Sequence, residues 1–289
     1  MNSGQRTAMA VAAKRPRDGS DGDADARKRQ KGAEAIDFTE EASPQEKKMR
    51  ASINDVAAEL LCPITQELPF DPVIAKDGKI YERNAILEWF RKKDGEATSP
   101  STGKVIGTEL LPAVQVRNTI ESLIKSGAIA GEIAEAWQKK LEDETLVKEW
   151  RAKAEGGDGQ AMHRLGVWYQ YGKNGLAMDG AQARAWYERS AAIRYPKGMG
   201  TFGSCLLAGV GGPQDHVFGI VNAAQAAELG SDVGAYYLGW AFFKGTYGLP
   251  KDHLRARYWL KKAVDECEYK HLNGAGRADA ARILRELEE

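Results

Sequence analysis

Apolar residues along the chain fall into three regimes of spacing. From Leu60 to Ile124 they come in short runs separated by turn residues. Val73-Ile74-Ala75 and Ile80-Tyr81 flank Asp77-Gly78, which predicts a β-hairpin. Ile86, Leu87 and Phe90 then recur at helical spacing, so a short helix is predicted from about Glu82 with all three toward a core. Gly95 to Gly103, rich in Gly, Ser, Thr and Pro, predicts a loop. After Pro112, Val116, Ile120, Leu123 and Ile124 line one face of a second helix. A compact α+β module over 55–126 follows from this pattern. Residues 49–59, with Met49, Ile53, Val56 and Ala57, predict a short lead-in helix.

From Ala128 to Glu155 the spacing is helical and no proline interrupts it. Ile129, Ile133, Trp137 and Leu141 form one stripe; Leu146, Val147 and Trp150 continue it in a shifted position. Lys139, Lys140, Glu142, Asp143, Lys148 and Glu149 fill the polar face. The reading is an amphipathic connector over 128–155 that docks on one or both neighbours. A coiled-coil dimer is the competing reading, and the seam is short for sustained heptads. Gly156-Gly157-Asp158-Gly159 predicts the helix end and a turn.

The third regime repeats. Gly166, Gly203 and Gly239 are spaced by 37 and 36 residues; so are Gly172, Gly209 and Gly245. Asp179, Asp215 and Asp252 are spaced by 36 and 37. Trp186, Asn222 and Trp259 keep the same register. Such a period predicts an all-α solenoid of helical hairpins. The units are 158–194, 195–230 and 231–267, within a repeat region of 158–274. Ala280, Ala281, Ile283, Leu284 and Leu287 predict a capping helix over 275–289.

The ordered set Cys62-Pro63-Ile64, Asp71-Pro72-Val73, Gly78, Tyr81-Glu82-Arg83, Ile86, Trp89, Ser99-Pro100 and Leu110-Leu111-Pro112 resembles the U-box, the zinc-free RING-like domain of ubiquitin ligases. The zinc-free part has support in the residues. A structural zinc site needs four Cys or His ligands, and Cys62 is the only one in the module. The resemblance implies that hydrogen bonds and ion pairs hold the loops, among Glu67, Asp71, Tyr81, Arg83, Ser99 and Thr102. Losing Arg83 is then expected to unfold the module locally, since an unpaired buried charge costs about 3–5 kcal/mol.

The resemblance further implies docking of a conjugating enzyme loaded with ubiquitin. Ile64, Trp89 and Pro100 would form a shallow apolar groove with Gln66 at its rim. Catalysis would proceed by proximity, as a transferase without a covalent intermediate of its own. Cys62 precedes Pro63 in the first loop with no His or Asp nearby to activate it, and is not expected to be a nucleophile. Relatives often carry a basic residue just after the second loop. Here that position is Gly103, with Lys104 one further, which bears on the strength of activity rather than on docking.

The C-terminal units resemble Sel1-like repeats, longer-looped cousins of tetratricopeptide repeats. The resemblance rests on Ala161, Leu165-Gly166, the loop Gly and Asp, and the pairs Trp186-Tyr187 and Tyr258-Trp259. It implies a concave face for a protein client. Asn222-Ala223 and Gly211-Gly212-Pro213 depart from the pattern in the middle unit. A non-catalytic scaffold assembling a complex through the repeats is the competing function.

Composition mainly excludes. The formal net charge is zero, so overall charge says nothing about nucleic acid, which is not among the expected partners. Three scattered cysteines offer no disulfide framework, which points to a reducing compartment. There is no apolar run long enough for a transmembrane helix and no secretory signal, so no membrane partner is expected. Nothing in the chain implies a cofactor or metal. Residues 1–48 are polar and charged and read as a disordered tail. Lys14-Arg15 and Arg27-Lys28-Arg29 with Lys31 resemble a bipartite nuclear import signal, which two linked pockets of an import receptor would take up. A solvated tail, or one touching phosphates, is the plainer alternative. Nuclear placement is favoured over cytoplasmic. A fusion of residues 1–40 to a fluorescent reporter is expected to accumulate in the nucleus; a cytoplasmic reporter would refute the signal.

Overall fold

The computed structural model describes residues 57–92 and 97–288. The basic clusters between Lys14 and Lys31 and most of the lead-in segment lie outside the described residues; 57–59 are helical.

The N-terminal module is built on a three-stranded antiparallel sheet. Its strands are β1 (Pro72–Ile74), β2 (Ile80–Glu82) and β3 (Leu111–Pro112), in the order β2-β1-β3. Val73 lies opposite Tyr81 on one side and Pro112 on the other. Gly78 turns the hairpin at φ 75°, and the Asp77 carboxylate accepts the Lys79 amide at 3.0 Å. Helix α1 (Arg83–Lys92) starts one residue later than the sequence suggests, because Glu82 is still paired with Pro72 in the sheet. Helix α2 (Val114–Lys125) follows β3.

Cys62, Val73, Tyr81 and Ile86 are fully buried in the module's core, with Phe90, Ala97 and Ile106. Leu87 departs from expectation and is exposed. Ile86 and Phe90 lie four residues apart and share a face, whereas the next residue on a helix points about 100° away.

The connector, α3 (Glu132–Glu155), also starts late. Gly131, at φ 75°, sets the turn into it. Ile129 is buried outside the helix, its amide bonded to the Leu123 carbonyl at 3.1 Å. Ile133 is exposed, and the buried stripe begins instead with Ala134 and Trp137. These two pack with Leu68, Ile120 and Ile124 of the module. The second half turns a different face, Val147, Trp150 and Ala154, to Ala161, Leu165 and Trp168 of the first repeat. The shifted stripe is thus two docking faces on one helix. No single seam runs its length, so the coiled-coil reading has no face to use.

Three hairpins follow. They pair α4 (Gly159–Tyr171) with α5 (Gly180–Ala192), α6 (Pro196–Ala208) with α7 (His216–Glu228), and α8 (Asp232–Lys244) with α9 (His253–Lys261). Each repeated residue has a backbone reason. Gly172, Gly209 and Gly245 end the first helices in the left-handed conformation. Asp179, Asp215 and Asp252 cap the second helices, each carboxylate accepting an amide at 2.9–3.0 Å. Gly166, Gly203 and Gly239 face the partner helix. A Cβ on Gly166 would stand 2.4 Å from the Tyr187 ring, and one on Gly203 would stand 2.9 Å from the Gly219 carbonyl. In the middle hairpin the small Asn222-Ala223 pair therefore lets backbone meet backbone. Asn222 is buried and donates to the Phe218 carbonyl at 2.9 Å.

The chain end holds features that the periodicity does not signal. After α9 a π-helical turn (Lys262–Glu266) leads to a segment that returns across the third repeat. Tyr269 bridges to Ser231, and the fully buried Asp232 carboxylate accepts the amides of His271 and Leu272. Helix α10 (Gly274–Glu286) closes the stack with Ala280 and Ile283 inward.

Candidate docking sites for proteins

The first loop folds around Cys62. Its amide donates to the Glu67 carbonyl at 2.9 Å, and its carbonyl accepts the Gln66 amide at 2.8 Å. Gln66 sits at φ 58°, a strained position for a residue with a side chain. Its side-chain amide donates to the Pro63 carbonyl at 2.9 Å. The loop tip leaves Thr65 and Gln66 exposed and Ile64 partly buried. Cys62 itself has no exposed surface, and its sulfur lies 3.2 Å from the Glu82 amide.

Glu82 is the residue that ties this loop to the sheet. Its carboxylate accepts the amides of Phe70 at 2.7 Å and Asp71 at 3.1 Å. Next to it the Arg83 guanidinium grips Asp71 through two bonds, at 2.7 and 3.3 Å. The pair is not buried: the side chains are 31% and 51% exposed. An ion pair this wet contributes about 1 kcal/mol or less, which corrects the expectation of local unfolding without Arg83.

The second loop is held separately. Ser99 is buried, and its hydroxyl accepts the amides of Ser101 and Thr102 at 3.1 and 3.0 Å. The Tyr81 hydroxyl donates to the Asp77 carboxylate at 2.8 Å and lies 3.0 Å from the Ser101 hydroxyl. Burial alone would raise the Asp77 pKa. Hydrogen bonds from Ser99, the Lys79 amide and Tyr81 outweigh it and hold the carboxyl below its ordinary value. The Trp89 indole donates to the Thr98 carbonyl at 2.9 Å, so α1 pins the loop that carries Pro100. Gly103 completes the turn at φ 71°.

The expected single network is therefore two. Thr102 enters mainly through its backbone amide. Glu67 belongs to neither network; it reaches Lys140 of the connector at 2.9 Å, because the first loop leans on α3. Asp77, Glu82 and Ser101 hold the loops as well, although the resemblance does not assign them to the network. A turn-forming Asp and an acid beside Arg83 were the available signals. Ile64 and Trp89 pack on the same core cluster, while Pro100 lies partly buried in the neighbouring loop.

The repeats offer a second site. His163 of α4 is 5% exposed, with the His271 ring edge-on at 4.5 Å. Its Nε2 lies 3.3 Å from the Thr201 hydroxyl. That hydroxyl already donates to the Lys197 carbonyl at 2.8 Å, so Nε2 carries the hydrogen. Burial first, then the charges of His271, Lys197 and Arg164, push the His163 pKa down to about 2.

Two predictions rest on this geometry. Glu82→Ala is expected to destabilise the module by about 2–3 kcal/mol, since charge-assisted bonds to amides are lost, and Arg83→Ala by about 1 kcal/mol or less. Hydrogen exchange at the Phe70 and Asp71 amides reads both; equal effects would contradict the assignment. Second, an unfolded His163 protonates near pH 6.5 while the folded one stays neutral. Its contribution is therefore intact above pH 6.5 and falls by about 1.4 kcal/mol per pH unit on acidification toward pH 2. Urea unfolding at pH 7.5 and 5.5 is expected to show this decline, and His163→Gln to flatten it.

Comparison with known proteins agrees with the geometry. The U-box domain family model matches residues 56–128, and the Sel1 repeat model matches 159–193, 198–231 and 233–266. U-box domain-containing protein 18 of Arabidopsis thaliana is 36% identical over 100 residues, which is 34% of this chain and 14% of that protein. WD repeat, SAM and U-box domain-containing protein 1 of Danio rerio is 48% identical over 67 residues, 23% of this chain and 13% of that protein. The matches thus span only a small part of these relatives. A Sel1 repeat protein from Oxalobacter formigenes aligns at 26% identity and a TM-score of 0.38, covering 47% of this chain and 96% of that one. The chain carries a U-box followed by three Sel1 repeats.

Proposed function

We propose that the chain is a ubiquitin–protein ligase. Its U-box docks a ubiquitin-loaded conjugating enzyme, and its repeats hold the protein to be modified. The observation that carries this reading is the U-box match together with two loops braced by internal hydrogen bonds. Ile64, Trp89 and Pro100 form the docking surface and Gln66 its rim. A partly exposed apolar set on braced loops is a surface that a partner covers.

The ligase acts by proximity, with no covalent intermediate of its own. Burial of Cys62, in contact with the Glu82 amide, supports this. The two docking faces of α3 support a fixed separation between client and thioester, so that binding places the acceptor lysine in reach. Gly103 occupies a left-handed turn where a side chain is strained, so any bracing of ubiquitin by a cation falls to Lys104.

Purified chain, activating enzyme, a panel of conjugating enzymes and ubiquitin are expected to give self-ubiquitination ladders. Ile64→Ala is expected to weaken them about tenfold or more. Absence of ladders from a folded wild-type chain would instead favour a scaffold that assembles partners through the repeats.

A further inference from the structure

On the side of the repeats marked by His163 lies a cavity of about 240 Å³. Helix α4 supplies His163, Arg164 and Val167 to its wall. The start of α6 supplies Tyr195 and Lys197, and the returning segment supplies His271. This volume is below the range of sites that enclose drug-sized ligands and suits one side chain of a longer ligand.

The charge around the cavity is one-sided. Arg164 lies over the Trp150 ring at 5.0 Å, and among the described residues neither it nor Lys197 pairs with a carboxylate. Two acids whose charge reaches the lining residues are already engaged. Asp158 caps α4 by accepting the amides of Gln160 and Ala161 at 2.8 and 3.1 Å. Asp232 is fully buried against the His271 and Leu272 amides, with Arg277 at 3.5 Å. Among the described residues no carboxylate lines the cavity. Burial lowers the pKa of both lining imidazoles, His163 and His271, toward the neutral form, so the fixed positive charge comes from Lys197 and Arg164.

We infer that this cavity binds an acidic side chain, Asp or Glu, of a client peptide lying across the repeats, with Lys197 and Arg164 as its counter-charges. A carboxylate fits better than a phosphate. Phosphate sites at helix starts draw on free backbone amides. Here the start of α4 is filled by Asp158, and α6 opens with Pro196, which has no amide hydrogen. Two side-chain cations remain, which match a carboxylate. Val167 and Tyr195 favour an apolar neighbour beside the acid. This inference rests on the reading of the repeats as the client-binding half.

The test uses the full chain and fluorescein-labelled peptides in fluorescence anisotropy. The probes are a peptide alternating glutamate with leucine, its glutamine counterpart and its phosphoserine counterpart. The glutamate peptide is expected to bind, to bind more weakly in added salt, and to lose about tenfold in affinity with Lys197→Gln or Arg164→Gln. The glutamine peptide is expected not to bind. Failure of the glutamate peptide to bind, or binding that ignores both substitutions in chains with unchanged circular dichroism, would overturn the inference. So would a preference for the phosphoserine peptide. Self-ubiquitination of the wild-type chain is read in parallel. Peptide binding involves no ubiquitin transfer, so a lost ladder and a lost peptide complex report on different claims.

Discussion

The packing of Trp137, buried, and Trp150, partly buried, on opposite halves of one helix is the contact on which the rest depends. Trp137 is 2% exposed, packs against the tilted Phe70 ring at 5.5 Å between centroids, and donates to the Pro69 carbonyl at 3.3 Å. Trp150 meets Trp168 edge-on at 5.8 Å. Arg117 adds a polar clasp, over the Phe70 ring at 4.2 Å and bonded to Glu144 of the connector. The connector is therefore a strut shared by two cores rather than a tether. In the proposed ligase, a shared strut converts binding at one end into position at the other.

The two ends are stabilised by different physics. The module has a three-stranded sheet with strands of two or three residues, so its loops need their own support. They obtain it from side chains that satisfy backbone amides: Glu82 for the first loop and Ser99 for the second. The Asp71–Arg83 pair is more conspicuous but lies in water, where Coulomb attraction is screened. The repeats instead depend on backbone proximity. Their regular spacings, 36 or 37 residues, mark helix ends, caps and close approaches, each of which any hairpin of this geometry must provide.

The return of the chain after α9 links the last repeat to the first. It brings His271 against His163 and closes one wall of the cationic cavity. That neighbourhood joins residues 108 positions apart in the sequence, His163 and His271, through a segment with no periodic signal.

The sequence by itself determined the order of elements, the period of the repeats and the residues of the U-box pattern. These are local properties: a turn needs Asp-Gly, a cap needs Asp, and a close helix pair needs Gly, whatever lies beyond. It also contained the shift in the connector's stripe, though not its meaning. The tertiary structure decided which neighbour each half of α3 meets, that Ile133 faces solvent and Ala134 the core, and that Glu67 reaches Lys140. It alone decided that Arg83 is wet, that Glu82 is the loop's anchor, and that two cations from different helices share a cavity. Exposure, charge pairing and separation are properties of what packs alongside, and no residue carries them before the chain has folded.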